Sequence, residues 1–377
     1  MSNLTQETDN QRTNGKRTNR KIRIGIVGCG EVTQIMHWPS LNQLADLYEV
    51  TALCDISPLV LETLGKRWNV GALTTDHGEL VGRSDVDAVL VASPHAFHAE
   101  ATLAAIAAGK HVLVEKPMSV NQREANEIVA AQQKNRVVVQ VGYMRRYAPA
   151  FLYACDAVKQ IGAIKFARVR DFLGSNSLII NQTSAVVRDP HLPKRIQEEA
   201  NRRDEELVIE ALGGNRTEDV KTAYRLMLGL SSHDLSAMRE LLGMPGRVLF
   251  AAQRAGGRYL AAAFDYEGFV CQFETGVDNI PRFDAHLEVF AEQKTIRVQY
   301  DTPYVRNLPI RVFMTEANGQ GGVTTIDAHP AWGDPFVAEW KAFYNNVTEN
   351  RLPKSGPEDF LLDLELFTQM VQLMRKD

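Results

Sequence analysis

Ile22-Arg-Ile-Gly-Ile-Val-Gly-Cys-Gly-Glu-Val-Thr33 is the stretch that decides the fold: an apolar run ends in a glycine turn and leads into a segment with helical spacing. Backbone N–H groups at the start of a helix point outward and favour an anion. A side chain at Gly28 or Gly30 would fill the space that a phosphate takes. The stretch predicts a strand, a turn and a helix that bind the pyrophosphate of a dinucleotide. The predicted contacts are with Gly28, Gly30, Glu31 and Val32.

A second apolar run, residues 50–54, ends at Asp55. An acidic residue at this point of a βαβ unit accepts hydrogen bonds from the adenosine ribose hydroxyls. Asp55 would repel a 2′-phosphate, and no arginine follows at Ile56 or Ser57 to receive one. We therefore expect NAD as the cofactor, with NADP as the alternative. An ordinary strand, turn and helix with a chance pair of glycines is the competing interpretation.

Length and composition limit the class of protein. The 377 residues exceed one typical core, so two domains are expected. Hydrophobic content of 45% and charged content of 23% are typical of a globular protein, and a net charge of −4 without a large basic block argues against nucleic acid. The four cysteines are far apart, which predicts no disulfide framework and a reducing, cytoplasmic location. No apolar segment is long enough for a bilayer, so no membrane partner is expected.

The periodicity changes once along the chain. Apolar runs alternate with amphipathic segments up to about Tyr147, which predicts a doubly wound parallel sheet covered by helices. After that point short alternating segments predict an α+β domain with a large, mainly antiparallel open sheet. The predicted organisation is a disordered tail at 1–20, a Rossmann domain at 21–147, a substrate and oligomerisation domain at 148–355 and a C-terminal helix at 356–377. A charged insert at 175–223 is a candidate lid, pocket element or oligomer contact.

The individual elements follow from the same patterns. In the first domain the predicted strands cover residues 22–27, 50–54, 88–92, 111–114 and 137–141, and the predicted helices cover 34–46, 59–68, 96–108 and 122–134. In the second domain the predicted strands cover 164–172, 248–252, 269–274, 286–291, 295–300 and 310–315, and the predicted helices cover 151–160, 335–349 and 358–375.

Another informative stretch is Gly109-Lys-His-Val-Leu-Val-Glu-Lys-Pro117. Lys116 follows the fourth predicted strand and would lie at the carboxyl edge of the sheet, beside the crevice where a nicotinamide would bind. A lysine there can hold a hydroxyl or carbonyl oxygen and take part in proton transfer. The competing interpretation is a surface lysine after a strand.

Four motifs together resemble the Gfo/Idh/MocA oxidoreductases, the family of glucose–fructose oxidoreductase and inositol dehydrogenase. They are Gly28-Cys-Gly with His37-Trp-Pro39, Ser93-Pro-His-Ala-Phe-His98, the stretch that ends at Glu115-Lys-Pro117, and Gly142-Tyr-Met-Arg-Arg-Tyr147. The resemblance covers nearly all of the chain beyond the tail. It implies a nicotinamide cofactor, hydride exchange at a hydroxyl-bearing carbon of a sugar or cyclitol, and a homodimer or homotetramer built on the second-domain sheet.

The resemblance also implies roles for single residues. Lys116 matches the catalytic lysine, Glu115 a cofactor contact, and His233 the catalytic histidine. The loop on the nicotinamide side matches Ser93, Pro94 and His98. The family places an aspartate four residues before its histidine, whereas this chain has Gly229 there. The pattern alone leaves a capping or core role open for His233. Asp234 would project about 100° away from His233 on a helix and is a candidate for substrate or ribose binding.

Other polar residues have two interpretations. Arg145 and Arg146 lie at the predicted join between the domains, where they can bind a substrate carboxylate or phosphate or hold the domains together. Tyr143 is a candidate for the same cleft. His95 and His98 have ligand-like spacing, but no acidic or cysteine partner follows, so we expect no metal site.

The sequence therefore predicts an NAD-dependent oxidoreductase that acts on a CH–OH group of a small polyhydroxy molecule. The sequence is also compatible with two alternatives. The first is an enzyme that uses bound NAD transiently in an elimination or hydrolysis without net redox change. The second is a nucleotide-binding sensor that retains the fold without catalysis.

Overall fold

A computed structural model describes residues 20–374. The predicted disordered tail lies outside these residues, apart from Arg20. Within the described range, no helix combines the length and apolar character needed to cross a membrane.

The first sheet consists of six parallel strands in the order β3-β2-β1-β4-β5-β6. Its strands are β1 (Ile22–Val27), β2 (Tyr48–Cys54), β3 (Ala72–Thr74), β4 (Ala88–Val91), β5 (His111–Glu115) and β6 (Val139–Gly142). The side chains of β4 are buried throughout, as expected of a strand covered by helices on both faces. The strand order reverses between β1 and β4, which opens a ligand crevice at their carboxyl ends.

Helices cover both faces of this sheet. They are α1 (Trp38–Gln43), α2 (Pro58–Trp68), α3 (His77–Val81), α4 (His98–Ala107) and α5 (Gln122–Asn135). A wide helical turn, Thr33–His37, precedes α1. The starts of α2 and α5 are capped by Ser57 and Asn121, whose side chains accept hydrogen bonds from backbone N–H groups of the first turn.

The second sheet has eight strands in the order β14-β13-β12-β11-β7-β10-β9-β8. Its strands are β7 (Ile164–Gly174), β8 (Arg247–Arg254), β9 (Tyr259–Tyr266), β10 (Phe269–Asp278), β11 (Phe283–Ala291), β12 (Lys294–Tyr300), β13 (Arg311–Ala317) and β14 (Val323–Ala328). Only the β7–β10 pair is parallel among these strands, and the other pairs are antiparallel. The predicted fold class, a Rossmann domain followed by an α+β domain with an open sheet, is confirmed.

Helices of the second part connect the two sheets. They are α6 (Met144–Tyr147), α7 (Pro149–Val158), α8 (Ser177–Thr183), α9 (Lys194–Ala211), α10 (Glu218–Leu226), α11 (Ser232–Leu242), α12 (Pro335–Thr348) and α13 (Pro357–Met374). The predicted insert contains α8, α9 and most of α10. Through Trp340 and Phe343, α12 packs into the same core as Ile24 and Ile26 of β1. The chain therefore returns to the first sheet before it ends.

Candidate active site

The glycine turn after β1 fits a dinucleotide. Gly28 has a φ of +94°, and a Cβ there would collide with the backbone of Ala92 at the end of β4. A Cβ on Gly30 would meet no atom within 4 Å, so the space beside Gly30 is free for a ligand. Thr33 stands where a third small residue is usual in such turns. Its hydroxyl donates to the carbonyl of Gly28 at 2.6 Å. The hydrogen bond from Thr33 thus stabilises the turn, while the side at Gly30 stays open to a phosphate.

Asp55 lies beside this turn at the end of β2. Its carboxylate accepts hydrogen bonds from the backbone N–H groups of Cys29 at 2.8 Å and Ser57 at 2.9 Å. These bonds fix the carboxylate at the rim of the crevice. Because each carboxylate oxygen can accept more than one hydrogen bond, Asp55 retains acceptor capacity for ribose hydroxyls.

Residues 184–193, here named the strap, cross the opening of this crevice. The backbone of Val187 exchanges two hydrogen bonds with the side-chain amide of Gln34, at 2.8 and 2.9 Å. Arg188 pairs with Glu31, and Asp189 accepts a hydrogen bond of 2.7 Å from the hydroxyl of Ser57. The strap is therefore joined to both the glycine turn and the segment that follows Asp55.

A cavity of about 130 Å³ lies where the second domain faces the carboxyl ends of β4 and β5. Lys116 follows β5, and its Nζ donates to the carbonyl of Gly229 at 2.6 Å. Burial lowers the pKa of Lys116, and the positive charge of Arg145 adds to this effect. Lys116 is thus a basic group that is easier to deprotonate than an exposed lysine.

His233 enters the same cavity from the first turn of α11. Its side chain is buried, and Nδ1 has no hydrogen-bond partner among the described residues. Burial lowers its pKa well below the usual 6.5, with further lowering from the charges of Lys116 and Arg145. His233 therefore presents a neutral imidazole, which can accept a proton from a hydroxyl.

Glu115 is fixed at the floor of the cavity. The indole N–H of Trp340 donates to Nδ1 of His37 at 3.1 Å, so Nε2 of His37 carries the proton donated to Glu115 at 2.9 Å. Burial by itself would raise the pKa of Glu115. The hydrogen bond from His37 and the charge of Lys116 outweigh it, so the pKa is lowered. Glu115 is a carboxylate beside the lysine.

The loop after β4 lines the opposite wall. The two ring nitrogens of His98 lie 2.7 Å from the carbonyl oxygen of Pro117 and 2.6 Å from that of Ser93. His98 thereby ties this loop to the segment that carries Lys116. Pro94 separates Ser93 from the short turn His95–Phe97. The buried hydroxyl of Ser93 has no protein partner in the described part of the chain, which leaves it free for a ligand at this wall.

Comparison with known proteins agrees with this geometry. Residues 22–143 match the profile of a family described as "Oxidoreductase family, NAD-binding Rossmann fold". The chain is 38% identical over 136 residues to an inositol 2-dehydrogenase of Acidothermus cellulolyticus, a match that spans 36% of this chain and only 40% of that protein. It is 27% identical to inositol 2-dehydrogenase 3 of Saccharopolyspora erythraea over 86% of this chain and 85% of that protein. Residues 22–143 thus carry the NAD-binding Rossmann domain of the Gfo/Idh/MocA oxidoreductases.

The fold is shared with a solved member across almost the whole length. The structure of scyllo-inositol dehydrogenase from Lactobacillus casei superposes with a TM-score of 0.69 and 20% identity, covering 95% of this chain and 97% of that one. The predicted family resemblance and the predicted dinucleotide-binding Rossmann domain are thus confirmed. At this identity the structural likeness concerns the fold alone.

Four residues that the sequence predicts as substrate contacts do not line the cavity. Tyr143 is fully buried and donates to Asp363. Arg145 bonds Asp234 at 2.5 Å and Asp171 at 3.0 Å. Burial and the negative charge of Asp171 raise the pKa of Asp234, and the positive charge of Arg145 only partly offsets this. Protein partners engage these side chains outside the cavity, so their substrate role stays a prediction that this geometry does not support.

Arg146 is the fourth of these residues, and it pairs with Glu240 and Asp359. These partners belong to α11 and α13, so the contacts support the alternative interpretation that the arginines hold the domains together.

Sequence reasoning missed much of the second wall of the cavity. The unpredicted lining residues are Met36, Ala92, His95, Met144, Pro303, Tyr304 and Phe336. Phe336 lies in the first turn of α12, and nothing around Tyr304 signals a site. In the described part of the chain, no group of three or more His, Cys, Asp or Glu side chains is arranged to hold a metal ion.

Proposed function

We propose that this protein is an NAD-dependent dehydrogenase that oxidises a CH–OH group of a sugar, cyclitol or similar polyhydroxy molecule. One observation carries the proposal: Lys116 of the first domain and His233 of the second meet in one cavity at the carboxyl edge of the Rossmann sheet. The names of the relatives, inositol 2-dehydrogenases, support a polyol as substrate.

The proposed chemistry assigns each group a task. Bound NAD would supply the hydride acceptor, held by the glycine turn, Asp55 and the loop at Ser93. Lys116 would hold the substrate oxygen, since its Nζ is already anchored on the carbonyl of Gly229. Lys116, once deprotonated, and the neutral imidazole of His233 would together accept the hydroxyl proton while the C–H bond breaks and the carbonyl forms. Glu115 would keep Lys116 positioned and partly balance its charge.

A substrate panel tests this proposal. Purified protein is mixed with polyols, aldoses, uronic acids and cyclitols, with NAD or NADP, and nicotinamide absorbance is followed. We expect reduction of NAD with at least one polyol or cyclitol. Lys116→Met and His233→Ala should each lower kcat by about 100-fold or more, whereas Lys159→Met, which changes an exposed lysine, should not. Activity that is unchanged in both site variants would contradict catalysis at this cavity, and NAD binding without turnover of any compound in the panel would favour a nucleotide-binding sensor.

NAD rather than NADP is the proposed cofactor. Asp55 at the end of β2 and Asp189 of the strap put two carboxylates beside Ser57, where the adenosine ribose is expected. Two negative charges there disfavour a 2′-phosphate. Equal catalytic efficiency with NAD and NADP in the panel would contradict this preference.

A second candidate is catalysis with a retained cofactor. The strap crosses the opening of the dinucleotide crevice, and this observation favours an enzyme that oxidises its substrate transiently and then returns the hydride after elimination or hydrolysis. Product formation over many turnovers without net change in nicotinamide absorbance would identify this reaction. Accumulation of NADH in proportion to product would identify the dehydrogenase.

We further propose a homodimer or homotetramer assembled on the second sheet. One face of β7 is buried against helices, while Phe166, Arg168, Arg170 and Phe172 on the other face are half-buried. Mixed aromatic and arginine side chains are typical of interface surfaces. Sedimentation equilibrium of the full chain tests this, and a monomer at micromolar concentration would contradict it.

A reducing, cytoplasmic location remains the proposal for the compartment. All four cysteines are unpaired, and three of them are buried. Burial raises the pKa of Cys54, Cys155 and Cys271 to about 12, which makes them unreactive as thiolates. Fractionation of cells that express the protein would test this location.

A further inference from the structure

His95 is an imidazole in the cavity to which the proposed chemistry gives no task. It begins the turn His95–Phe97 after β4 and lines the cavity together with Lys116 and His233. The side chain is half-buried, and its ring lies 5.6 Å from the ring of His98. Within residues 20–374 no hydrogen bond joins either ring nitrogen of His95 to another residue. A polar ring without a partner, at a cavity wall, is available for a ligand.

The space around His95 is opened by Gly229. A Cβ on Gly229 would lie 3.6 Å from Cε1 of His95, and no other heavy atom would be within 4 Å of it. A longer side chain at position 229 would therefore extend toward the imidazole. Because Gly229 has none, His95 from the first domain reaches the region where the second domain presents His233. Lys116, bonded to the carbonyl of Gly229, lines the same cavity as both histidines.

The charge state of His95 limits what it can bind. Burial lowers its pKa to about 3, and the proximity of His98 and Lys116 adds to the lowering. The ring is neutral at physiological pH, so it has one N–H donor and one nitrogen acceptor. A hydroxyl group has the complementary donor and acceptor, whereas a carboxylate or phosphate would be better matched by a cation.

We propose that His95 binds the hydroxyl next to the reacting carbinol, so that the site selects a vicinal diol. This inference rests on the proposed dehydrogenase function and specifies its substrate class. One hydroxyl of the diol is engaged by Lys116 and His233, and its neighbour is engaged by His95, which lines the same cavity. His95 is thus a specificity-determining residue that contacts substrate and takes no part in the proton transfer.

Binding without turnover is the first test. The protein is labelled at its histidine rings, saturated with NADH so that an alcohol cannot react, and titrated with cis-1,2-cyclohexanediol or cyclohexanol. The signal of His95 is assigned as the one missing from His95→Phe. We expect it to shift with the diol and to shift much less with cyclohexanol. If the chemical shift of His95 does not change with the diol, or changes equally with both probes, the inference is overturned.

Kinetics with a substrate found in the panel provide the second test. His95→Phe should lower kcat/KM for the substrate about tenfold, through KM more than kcat, and should leave a deoxy analogue that lacks the neighbouring hydroxyl nearly unaffected. His95→Asn, which keeps a donor and an acceptor, should recover part of the loss. Equal losses on both compounds would show a merely structural role. If the panel yields no turnover, the dehydrogenase proposal fails, and the NMR titration still decides the role of His95.

Discussion

The basic side chains of the cavity are held in an uncharged or easily discharged state by burial. Lys116 and His233 both have lowered pKa values because the surrounding protein disfavours their charged forms, and each also feels the charge of Arg145. In water, a lysine is still protonated at a pH at which a histidine is already neutral, so the two would not both accept a proton from an alcohol at that pH. The fold makes both of them proton acceptors at one point.

A pH profile follows from these shifts. For alcohol oxidation, kcat/KM should rise as pH increases through the lowered pKa of Lys116 and should level off below the ordinary 10.5. His233 is already neutral, because its pKa lies well below 6.5, so it should add no step near that pH. Lys116→Arg keeps the charge and cannot lose the proton, so the rise should disappear. A rise centred near pH 6.5 that persists in Lys116→Arg would contradict this assignment.

The two glycines of the turn make a matched pair of variants. Gly30→Ala adds a methyl group that meets no protein atom, so the free energy of unfolding should change by less than about 1 kcal/mol. The same methyl group occupies the proposed phosphate space, so the Kd for NAD should rise about tenfold or more. Gly28→Ala, with a φ of +94° and a collision with Ala92, should destabilise the fold itself. Calorimetry of unfolding and of NAD binding checks both, and unchanged NAD affinity in Gly30→Ala would contradict the placement of the pyrophosphate.

At the scale of elements, the strap is the feature that sets this chain apart from a bare Rossmann crevice. Val186 packs against the cluster that contains Ile35 and Met36, and Val187 packs against the core of the first domain. Together with the bonds to Gln34 and Ser57, these contacts hold the strap across the crevice. A dinucleotide bound to the glycine turn is therefore expected to lie beneath it.

Loosening the strap should speed cofactor release. In the double variant Val186→Ser/Val187→Ser, the apolar contacts are lost while the dinucleotide contacts remain, so NAD should dissociate about tenfold faster. Leu352→Ser, which changes a leucine that is 77% exposed, is the control and should release NAD at the rate of the unchanged protein. Stopped-flow displacement of bound NADH measures these rates. Equal rates in all three proteins would show that the strap does not cover the cofactor.

The sequence predicts some elements better than others for a physical reason. Strands of the first sheet are continuous apolar runs because both faces are covered, so β1 and β4 are predicted within one residue. β14 is exposed along nearly all of its length and has no alternation to detect. β9 alternates in burial, but its half-buried face carries alanines at 261 and 263. The sequence therefore lacks the alternation of polar and apolar residues that would predict this strand. Both strands are absent from the predictions.

At the scale of the whole molecule, Arg145 joins the two domains. It follows β6 of the first sheet, and it bonds Asp171 of β7 and Asp234 of α11. All three side chains are buried, so the ion pairs have little competition from water. The same α11 carries His233, and the joint therefore helps to set the position of the imidazole relative to Lys116.

Removing this arginine should cost much of the stability. Arg145→Met leaves two buried carboxylates without their cation, so the free energy of unfolding should fall by about 3–5 kcal/mol. Arg202→Met, which breaks only exposed ion pairs on α9, should cost less than about 1 kcal/mol. Urea denaturation compares the two variants. A stable Arg145→Met protein with a raised KM would instead restore the substrate-binding role predicted from the sequence.

The sequence predicts only the site residues that directly follow a recognisable strand. Lys116, Gly28 and Asp55 each follow a recognisable strand, so the edge of the sheet that gathers them can be foreseen. The wall formed by Tyr304 and Phe336 arises from segments far along the chain, and their convergence depends on how α12 packs back on the first sheet. The role of His95 cannot be predicted from the sequence either, because the space beside its ring depends on Gly229, a glycine that is distant in the chain.

The most direct test of the account is the fate of the carbinol hydrogen. The best polyol of the panel is deuterated at its reacting carbon and incubated with NAD and the protein. We predict that deuterium accumulates on the nicotinamide ring in proportion to ketone, and that Lys116→Met binds NAD normally but transfers almost none. Product without deuterium on the nicotinamide would contradict net oxidation by NAD, and undiminished transfer in Lys116→Met would contradict hydride transfer at this cavity.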